Sequence, residues 1–193
     1  RCCYMNTQRA QSEIELCTRY RGTAAETNVL WDCLPVPCFG NPDHSRVRVA
    51  TLGLNPSSFE FYHADNRTKD QAQRLPMVGD FGVHDRSKLT DEGFCRAREI
   101  RNQYFGNKPH TWFTPMQLML RGMNLGWSYA EGTAVQIDVV ACATNTGFGD
   151  VPTAAKNAMI QNCRPYRQRT RAGFSDGTML VVNGSGAFET LGK

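Results

Sequence analysis

The stretch Arg46-Val47-Arg48-Val49-Ala50-Thr51-Leu52-Gly53-Leu54-Asn55-Pro56-Ser57-Ser58 decides the fold. Its first half is an apolar, β-branched run, which is typical of a buried strand. The run stops at a turn-forming sequence that brings polar groups to the carboxyl end of that strand. In an open α/β sheet, ligands bind at this end of the strands, so we expect a functional site here. A plain turn that begins at Asn55-Pro56 is the alternative interpretation.

Two later stretches repeat the pattern of a buried strand followed by polar residues. One runs from Val135 to Cys142, and the other, Met179 to Val182, leads into Asn183-Gly184-Ser185-Gly186. Amphipathic helix patterns lie between the strands, from Thr90 to Gly106, from Pro115 to Gly126 and from Pro152 to Gly173. This alternation predicts an α/β fold with a central parallel sheet and right-handed crossovers.

We predict a single domain over residues 1–193, because a chain of 193 residues is too short for two domains of ordinary size. Residues 1–45 are expected to form a helix over 7–20 and a proline-rich, irregular arm, and residues 46–193 the α/β core. A long irregular region is predicted from Phe59 to Lys88, and loops of this length in compact domains are commonly functional.

Composition limits the class of protein. Apolar residues make up 40% of the chain and form no run long enough for a membrane helix, so we expect no membrane partner. A net charge of +4 permits an acidic partner such as DNA without requiring one. The eight cysteines include no Cys-x-x-Cys pair. We therefore expect reduced thiols and no metal or other cofactor. We also expect no obligate protein partner and a cytoplasmic location in a cell of bacterial type.

Asp138 is the unusual residue of the second predicted strand, because apolar residues flank it. A buried carboxylate must be paired or take up a proton, since burying an isolated charge is costly. Groups of this kind cluster at functional sites, which favours a functional role. A structural carboxylate that accepts backbone N–H groups from a neighbouring loop is the alternative.

In their order along the chain, these motifs resemble those of the uracil-DNA glycosylase superfamily. Gly53-Leu54-Asn55-Pro56-Ser57 resembles the first motif of the Gly-x-Asn-Pro-Gly/Ser branches, and Met77-Val78-Gly79-Asp80-Phe81-Gly82 resembles the next loop, which supplies an aromatic platform. Ile137-Asp138-Val139-Val140 resembles the strand that carries the base reader, and Leu180 to Ala187 resembles a later strand and turn. The resemblance covers Val47 to the end and implies that superfamily's fold, a three-layer α/β/α domain around a parallel sheet.

The resemblance implies a glycosylase that flips a nucleotide out of DNA and cuts the base–sugar bond with water. Asn55 would hold the attacking water and Asp138 would read the base. Phe81 would stack on the base, with Phe61 and Phe59 as fallback platforms. The remaining assignments follow from position: Gly53, Leu54 and Pro56 in the base pocket, and Ser57, Ser58, Ser185 and Arg164 at the DNA backbone. Arg164 shares a predicted helical face with Arg167 and Arg171, for which a solvated surface is the default interpretation.

Two departures from the family pattern bear on function. The last family motif, His-Pro-Ser or Asn-Pro-Ser, does not occur between the third predicted strand and Lys193. Either the motif lies beyond this sequence, or a fourth strand and its leaving-group stabiliser are missing. Asp138 also stands where the family commonly carries Asn. An Asn amide matches uracil, whereas a carboxyl accepts from the N4 amino group of cytosine and, when protonated, can donate to N3.

We therefore predict a cytosine-type base. Excision of ordinary cytosine would damage the cell's own genome, so a modified cytosine is the expected target. Some bacterial members of the superfamily restrict phages whose DNA carries glucosylated hydroxymethylcytosine, and this is the preferred interpretation. Uracil excision in repair, with Asn145 as the base reader, is the nearest alternative. A catalytically silent DNA- or nucleotide-binding module is the other.

Overall fold

A computed structural model describes residue 15 and residues 18–62, 73–107 and 109–190. The predicted helix over 7–20 lies largely outside these ranges, as does the middle of the predicted irregular region from Phe59 to Lys88.

Four strands form one open sheet in the spatial order β1-β3-β2-β4. They are β1 (Cys38–Phe39), β2 (Val49–Gly53), β3 (Ala134–Asp138) and β4 (Met179–Val182). β2 is parallel to both β3 and β4, which confirms the predicted parallel core. β1 is antiparallel to β3 and corrects the expectation of a wholly irregular arm. It forms because Pro37 and Pro42 remove only their own N–H groups from pairing, and a strand of two residues fits between them at the sheet edge.

The helices of the described residues are α1 (Asp91–Asn102), α2 (Phe113–Met123), α3 (Thr153–Ala172) and α4 (Ser185–Glu189). They confirm the predicted alternation of strands and helices. The N-cap of α1 is Thr90, whose hydroxyl accepts the N–H of Gly93 at 3.2 Å. In α2, Met116 and Leu120 are buried with Phe113, whereas Leu118, Met119 and Met123 are exposed. Phe113, Met116 and Leu120 lie on one face by the helical period, whereas Leu118 lies on the other side of the helix.

The two faces of the sheet carry different clusters, because side chains alternate along each strand. On one face, residues of β2 and β3 such as Leu52 and Ile137 pack with Met159 of α3. On the other face, Val49 and Ala134 lie in a second, largely aromatic cluster with residues of α2. Helices therefore cover both faces, and the second face also carries the polar residues of β2 and β3.

The carboxyl ends of the parallel strands meet at one edge, as predicted. Gly53 lies opposite Asp138 in the β2–β3 register. Beyond the strands, the N–H of Val139 donates to the carbonyl oxygen of Gly53 at 2.9 Å. The N–H of Asn183 donates to the carbonyl oxygen of Leu52 at 3.0 Å. The turn after β2, the end of β3 and the segment after β4 are thus held side by side.

Arg86 anchors the region before α1 to the proline-rich arm. Its side chain is 1% exposed, and its guanidinium donates to the carbonyls of Trp31 at 3.1 Å and Leu30 at 2.6 Å. Its guanidinium carbon also lies 4.9 Å from the centre of the Trp31 ring. These contacts hold two irregular segments against each other.

The cysteines only partly follow the expectation of reduced thiols. Cys33, Cys38, Cys95 and Cys163 form no disulfide bond, whereas Cys142 is disulfide-bonded. Within the described ranges, no helix has both the length and the apolar character that crossing a bilayer requires.

Candidate functional site

A cavity of about 320 Å³, here called the first cavity, opens at the carboxyl ends of β2 and β3. The turn after β2 supplies Gly53, Leu54, Asn55, Pro56 and Ser57 to its lining. Further polar side chains come from Glu60, His110, Gln136 and Asn183, and the aromatic wall is formed by Phe39, Trp112 and Phe113. The opening motif therefore lines a cavity, which favours the functional interpretation over that of a plain turn.

Asn55 is held in place by its amide nitrogen. Nδ2 donates to the carbonyls of Pro56 at 3.2 Å and Cys142 at 3.4 Å, and to the hydroxyl of Thr144 at 3.2 Å. Because a carbonyl oxygen only accepts, these partners fix which end of the amide is nitrogen. Oδ1 makes no hydrogen bond to the described residues and is left as an acceptor. An acceptor fixed in this way can orient a water molecule for attack.

Asp138 lies behind Gln136 at the end of β3. Gln136 lines the first cavity, and its Nε2 donates to Oδ1 of Asp138 at 3.0 Å. Asp138 is 4% exposed and is not part of the cavity lining, which modifies the expectation that it faces the base directly. Its Oδ2 is buried without a hydrogen-bond partner among the described residues.

The carboxyl of Asp138 is neutral near neutral pH. Burial raises its pKa to about 8, against the hydrogen bond from Gln136, and a charge on Glu60 adds to the rise. A buried, protonated carboxyl therefore lies directly behind the Gln136 side chain that lines the first cavity.

A chain of polar side chains continues beneath Gln136 on the same face of the sheet. The Thr51 hydroxyl lies 3.4 Å from Oε1 of Gln136 and 2.6 Å from the hydroxyl of Tyr129. Both ends of the Gln136 amide thus have partners, which holds its orientation toward Asp138.

Gly53 makes room for this pair. A Cβ atom built on Gly53 would lie 2.5 Å from Oδ1 of Asp138 and 2.8 Å from Nε2 of Gln136. Distances this short are far inside van der Waals contact, so a side chain at position 53 is incompatible with the observed arrangement of Asp138 and Gln136.

Gly53→Ala is therefore expected to lower the free energy of unfolding by roughly 1–3 kcal/mol, because the added methyl group must displace a buried, hydrogen-bonded pair. Urea unfolding followed by circular dichroism measures the change. Gly122→Ala is the matched control, since a Cβ atom there meets nothing within 4 Å and alanine favours the helix. Equal stabilities of G53A and the wild type would contradict the packing described.

Glu60 places a second carboxyl in the first cavity. It ends the 3-10 turn Ser58–Glu60, and its carbonyl accepts the N–H of Arg74 at 3.1 Å. Its Oε2 accepts the hydroxyl proton of Tyr104 at 2.9 Å, and that hydroxyl in turn accepts the N–H of His110 at 2.9 Å. Burial raises the pKa of Glu60 to about 7, against the hydrogen bond from Tyr104 and the charge of Arg74.

Two rings of the aromatic wall of the first cavity, those of Phe39 and Phe113, belong to the second core cluster. The rings of Phe39 and Phe113 lie 5.5 Å apart, and Trp112, which is 41% exposed, meets Phe113 edge to face at 4.9 Å. Phe39 and Phe113 are thus fixed by packing, while Trp112 is partly open to solvent. A flat heterocycle can pack against such a wall, because aromatic faces attract one another.

The structure does not bring Phe61 or Phe81 to this wall, which corrects their assignment as platforms. Phe61 is fully buried in the second cluster, and Phe81 packs near Gly93 in a third cluster that includes Phe94. Neither lines the first cavity. The correction arises because the turn that carries Phe81 packs against α1 and not against the end of β2. Phe59 is half exposed and lies at a different cavity.

This second cavity, of about 510 Å³, adjoins the first. The two share Asn55, Pro56 and Ser57, which form a common wall. The remaining lining comes from Ser58, Phe59, Tyr62 and the segment 144–148. A ligand that occupies both cavities would pass over the side of Asn55.

The predicted backbone contacts divide into two groups. Ser57 lines both cavities and Ser58 lines the second. Ser185 and Arg164 are exposed but line neither cavity. The predicted arginine face of α3 is also corrected, because Arg167 is buried and donates to the carbonyl of Val139 at 3.3 Å. Asn145, the alternative base reader, lines the second cavity and donates to the carbonyl of Thr27 at 2.8 Å.

Sequence reasoning missed Glu60, Gln136 and His110. A signal existed for two of them: Gln136 lies two residues before Asp138, on the same face of the strand, and Glu60 interrupts an aromatic run. His110 had no such signal, because only the fold brings the segment before α2 to the end of β2.

The site is built from amide, carboxyl and aromatic groups. Among the described residues, no group of three or more His, Cys, Asp or Glu side chains is arranged to hold a metal ion. Comparison of the chain with protein-family models, with curated proteins and with solved structures found no match.

Proposed function

We propose that the protein is a DNA N-glycosylase of the uracil-DNA glycosylase type, which excises a modified cytosine and leaves an abasic site. The observation that carries this proposal is Asn55, whose Nδ2 is bound to the carbonyls of Pro56 and Cys142 while its Oδ1 is left to accept at a cavity with an aromatic wall. The order of the sequence motifs agrees with it.

The chemistry required is modest. When the base–sugar bond breaks, positive charge develops on the sugar and the electron pair remains on the base. A water molecule held by Oδ1 of Asn55 would then attack the sugar carbon. Because the water is already positioned, most of the entropic cost of bringing it to the sugar carbon is removed. Packing of the flipped base against Phe39 and Phe113 would offset part of the stacking lost from the duplex.

A cytosine-type base is favoured by the polar side of the first cavity. The carboxyl of Glu60 faces it directly, and that of Asp138 lies behind Gln136. A carboxyl accepts from the exocyclic amino group of cytosine, whereas uracil presents a carbonyl oxygen at the same place. The Gln136 amide also offers a donor and an acceptor, so uracil excision remains the second candidate.

The second cavity supports a modified base and a DNA partner. It adjoins the first across Asn55 and Ser57, and it contains the half-exposed ring of Phe59. A bulky substituent on the base, or the flanking nucleotide, would have space there without displacing the water held by Asn55.

The experiment is a panel of matched duplexes with a single cytosine, 5-hydroxymethylcytosine, glucosylated 5-hydroxymethylcytosine or uracil, followed by alkaline cleavage of abasic sites. We expect strand breaks with one or both modified cytosines and none with plain cytosine. Breaks with uracil alone would establish the second candidate instead. Binding to the duplexes without breaks in any of them would mark a silent binding module and remove the enzymatic proposal.

A further inference from the structure

The proposed function assigns the attacking water to Asn55 and lets the carboxyl of Glu60 accept from the base, but it gives no task to the proton that this carboxyl carries. Glu60 is 3% exposed, yet it lines the first cavity beside Asn55 and Ser57. The hydrogen bond from Tyr104 engages Oε2, and no described residue engages Oε1. A buried carboxyl with one committed oxygen therefore has its other oxygen left for a ligand.

The groups that set the protonation of Glu60 come from several elements. Tyr104 and the positive charge of Arg74 favour the ionised form, while burial opposes it more strongly. His110 also lines the cavity, and its pKa is lowered by partial burial and by the charge of Arg74, which favours its neutral form. Asp138 is protonated when Glu60 ionises, since its pKa is the higher of the two. The charge on Glu60 then delays ionisation of Asp138.

We propose that Glu60 is the general acid of the excision reaction, with Oε1 donating its proton to the departing base. This inference rests on the proposed function. As the bond between the sugar carbon and the base nitrogen breaks, the electron pair stays on the base, and the Glu60 proton moves to a ring nitrogen or carbonyl oxygen of that base. The water held by Asn55 forms the new bond to the sugar carbon, and the proton it loses restores the carboxyl of Glu60. The sum is one water consumed, one neutral base and one abasic sugar released.

The sign of the pH dependence follows from this role. A general acid acts only while it is protonated, so the single-turnover rate should fall as the pH rises through about 7, the value to which burial raises the pKa of Glu60.

Glu60→Gln keeps an acceptor for Tyr104 and a donor toward the ligand but cannot transfer a proton. With the modified-cytosine duplex that the wild type cleaves fastest, we expect it to reduce the rate at pH 6 by about 100-fold or more and to abolish the fall near pH 7. Glu99→Gln, on the exposed side of α1, is the matched control and should keep the wild-type rate and profile.

Two further variants separate an acid from a carboxyl that merely supports the cavity. Tyr104→Phe removes a hydrogen bond that lowers the pKa of Glu60, and Arg74→Gln removes a positive charge that does the same. Both should move the fall in rate to higher pH while Glu60 is retained. If Glu60 only supported the cavity, Glu60→Gln would lower the rate equally at every pH. Tyr104→Phe and Arg74→Gln would then leave the pH dependence of the rate unshifted.

The outcomes are distinct. Loss of the fall near pH 7 in E60Q, with upward shifts in Y104F and R74Q, supports the inference. An E60Q profile like that of the wild type, or a uniformly reduced rate with no shift in the other two variants, overturns it and leaves the proposed function standing. A wild type that opens no abasic site in any duplex overturns the proposed function and this inference with it.

Discussion

Replacing Asn55 by alanine is expected to reduce the single-turnover rate of base excision by roughly 10²- to 10³-fold, because the group that orients the attacking water is removed. The affinity for the same duplex should change little, since the aromatic wall and Gln136 remain. The rate is measured with excess protein and the affinity by fluorescence anisotropy of a labelled duplex.

Asn157→Ala is the matched control, because Asn157 is exposed on α3 and lines neither cavity. Asn55→Asp gives a sharper contrast, since it places a second oxygen against the carbonyls of Pro56 and Cys142 and should also impair excision. The same rate in N55A as in the wild type would remove Asn55 from the mechanism. A parallel loss of rate and affinity would instead show that Asn55 holds the ligand.

The sheet and its functional edge could be predicted because both depend on local patterns. The apolar run that ends at Gly53 marks β2, and parallel strands must gather their carboxyl ends at one edge. The register that places Gly53 opposite Asp138 follows from that geometry. The strand Cys38–Phe39 escaped notice because a pair of residues between prolines carries almost no pattern.

The composition of the cavity wall could not be predicted, because it depends on which turn packs where. The order of the motifs assigned the platform to Phe81, but this ring packs beside α1, whereas Phe39 lies on the edge strand next to Gln136. Asp138 illustrates a subtler limit. Its burial was expected from its neighbours, yet its place behind Gln136 depends on side-chain geometry at Gly53, which no spacing rule contains.

Replacing Asp138 by asparagine is expected to raise the free energy of unfolding at pH 9 by roughly 3–5 kcal/mol and to leave it nearly unchanged at pH 4. Burial raises the pKa of the native carboxyl from 3.8 to about 8. Between these values the native state holds a proton that the unfolded chain has released, so wild-type stability falls as the pH rises. Above pH 8 the native carboxyl is ionised and the full cost of its burial is present. An asparagine does not ionise and closely matches the shape of the protonated carboxyl.

Urea unfolding at intervals of one pH unit measures the effect, with Asp176→Asn as the control because Asp176 is exposed. The D138N slope should not vanish completely, since burial also raises the pKa of Glu60 to about 7 and contributes with the same sign. Adding E60Q to D138N should remove most of the remaining dependence of the free energy of unfolding on pH. If D138N and the wild type lose stability in parallel between pH 4 and 9, the carboxyl of Asp138 is not held neutral by burial. Nε2 of Gln136 would then donate to a charged carboxylate behind the first cavity.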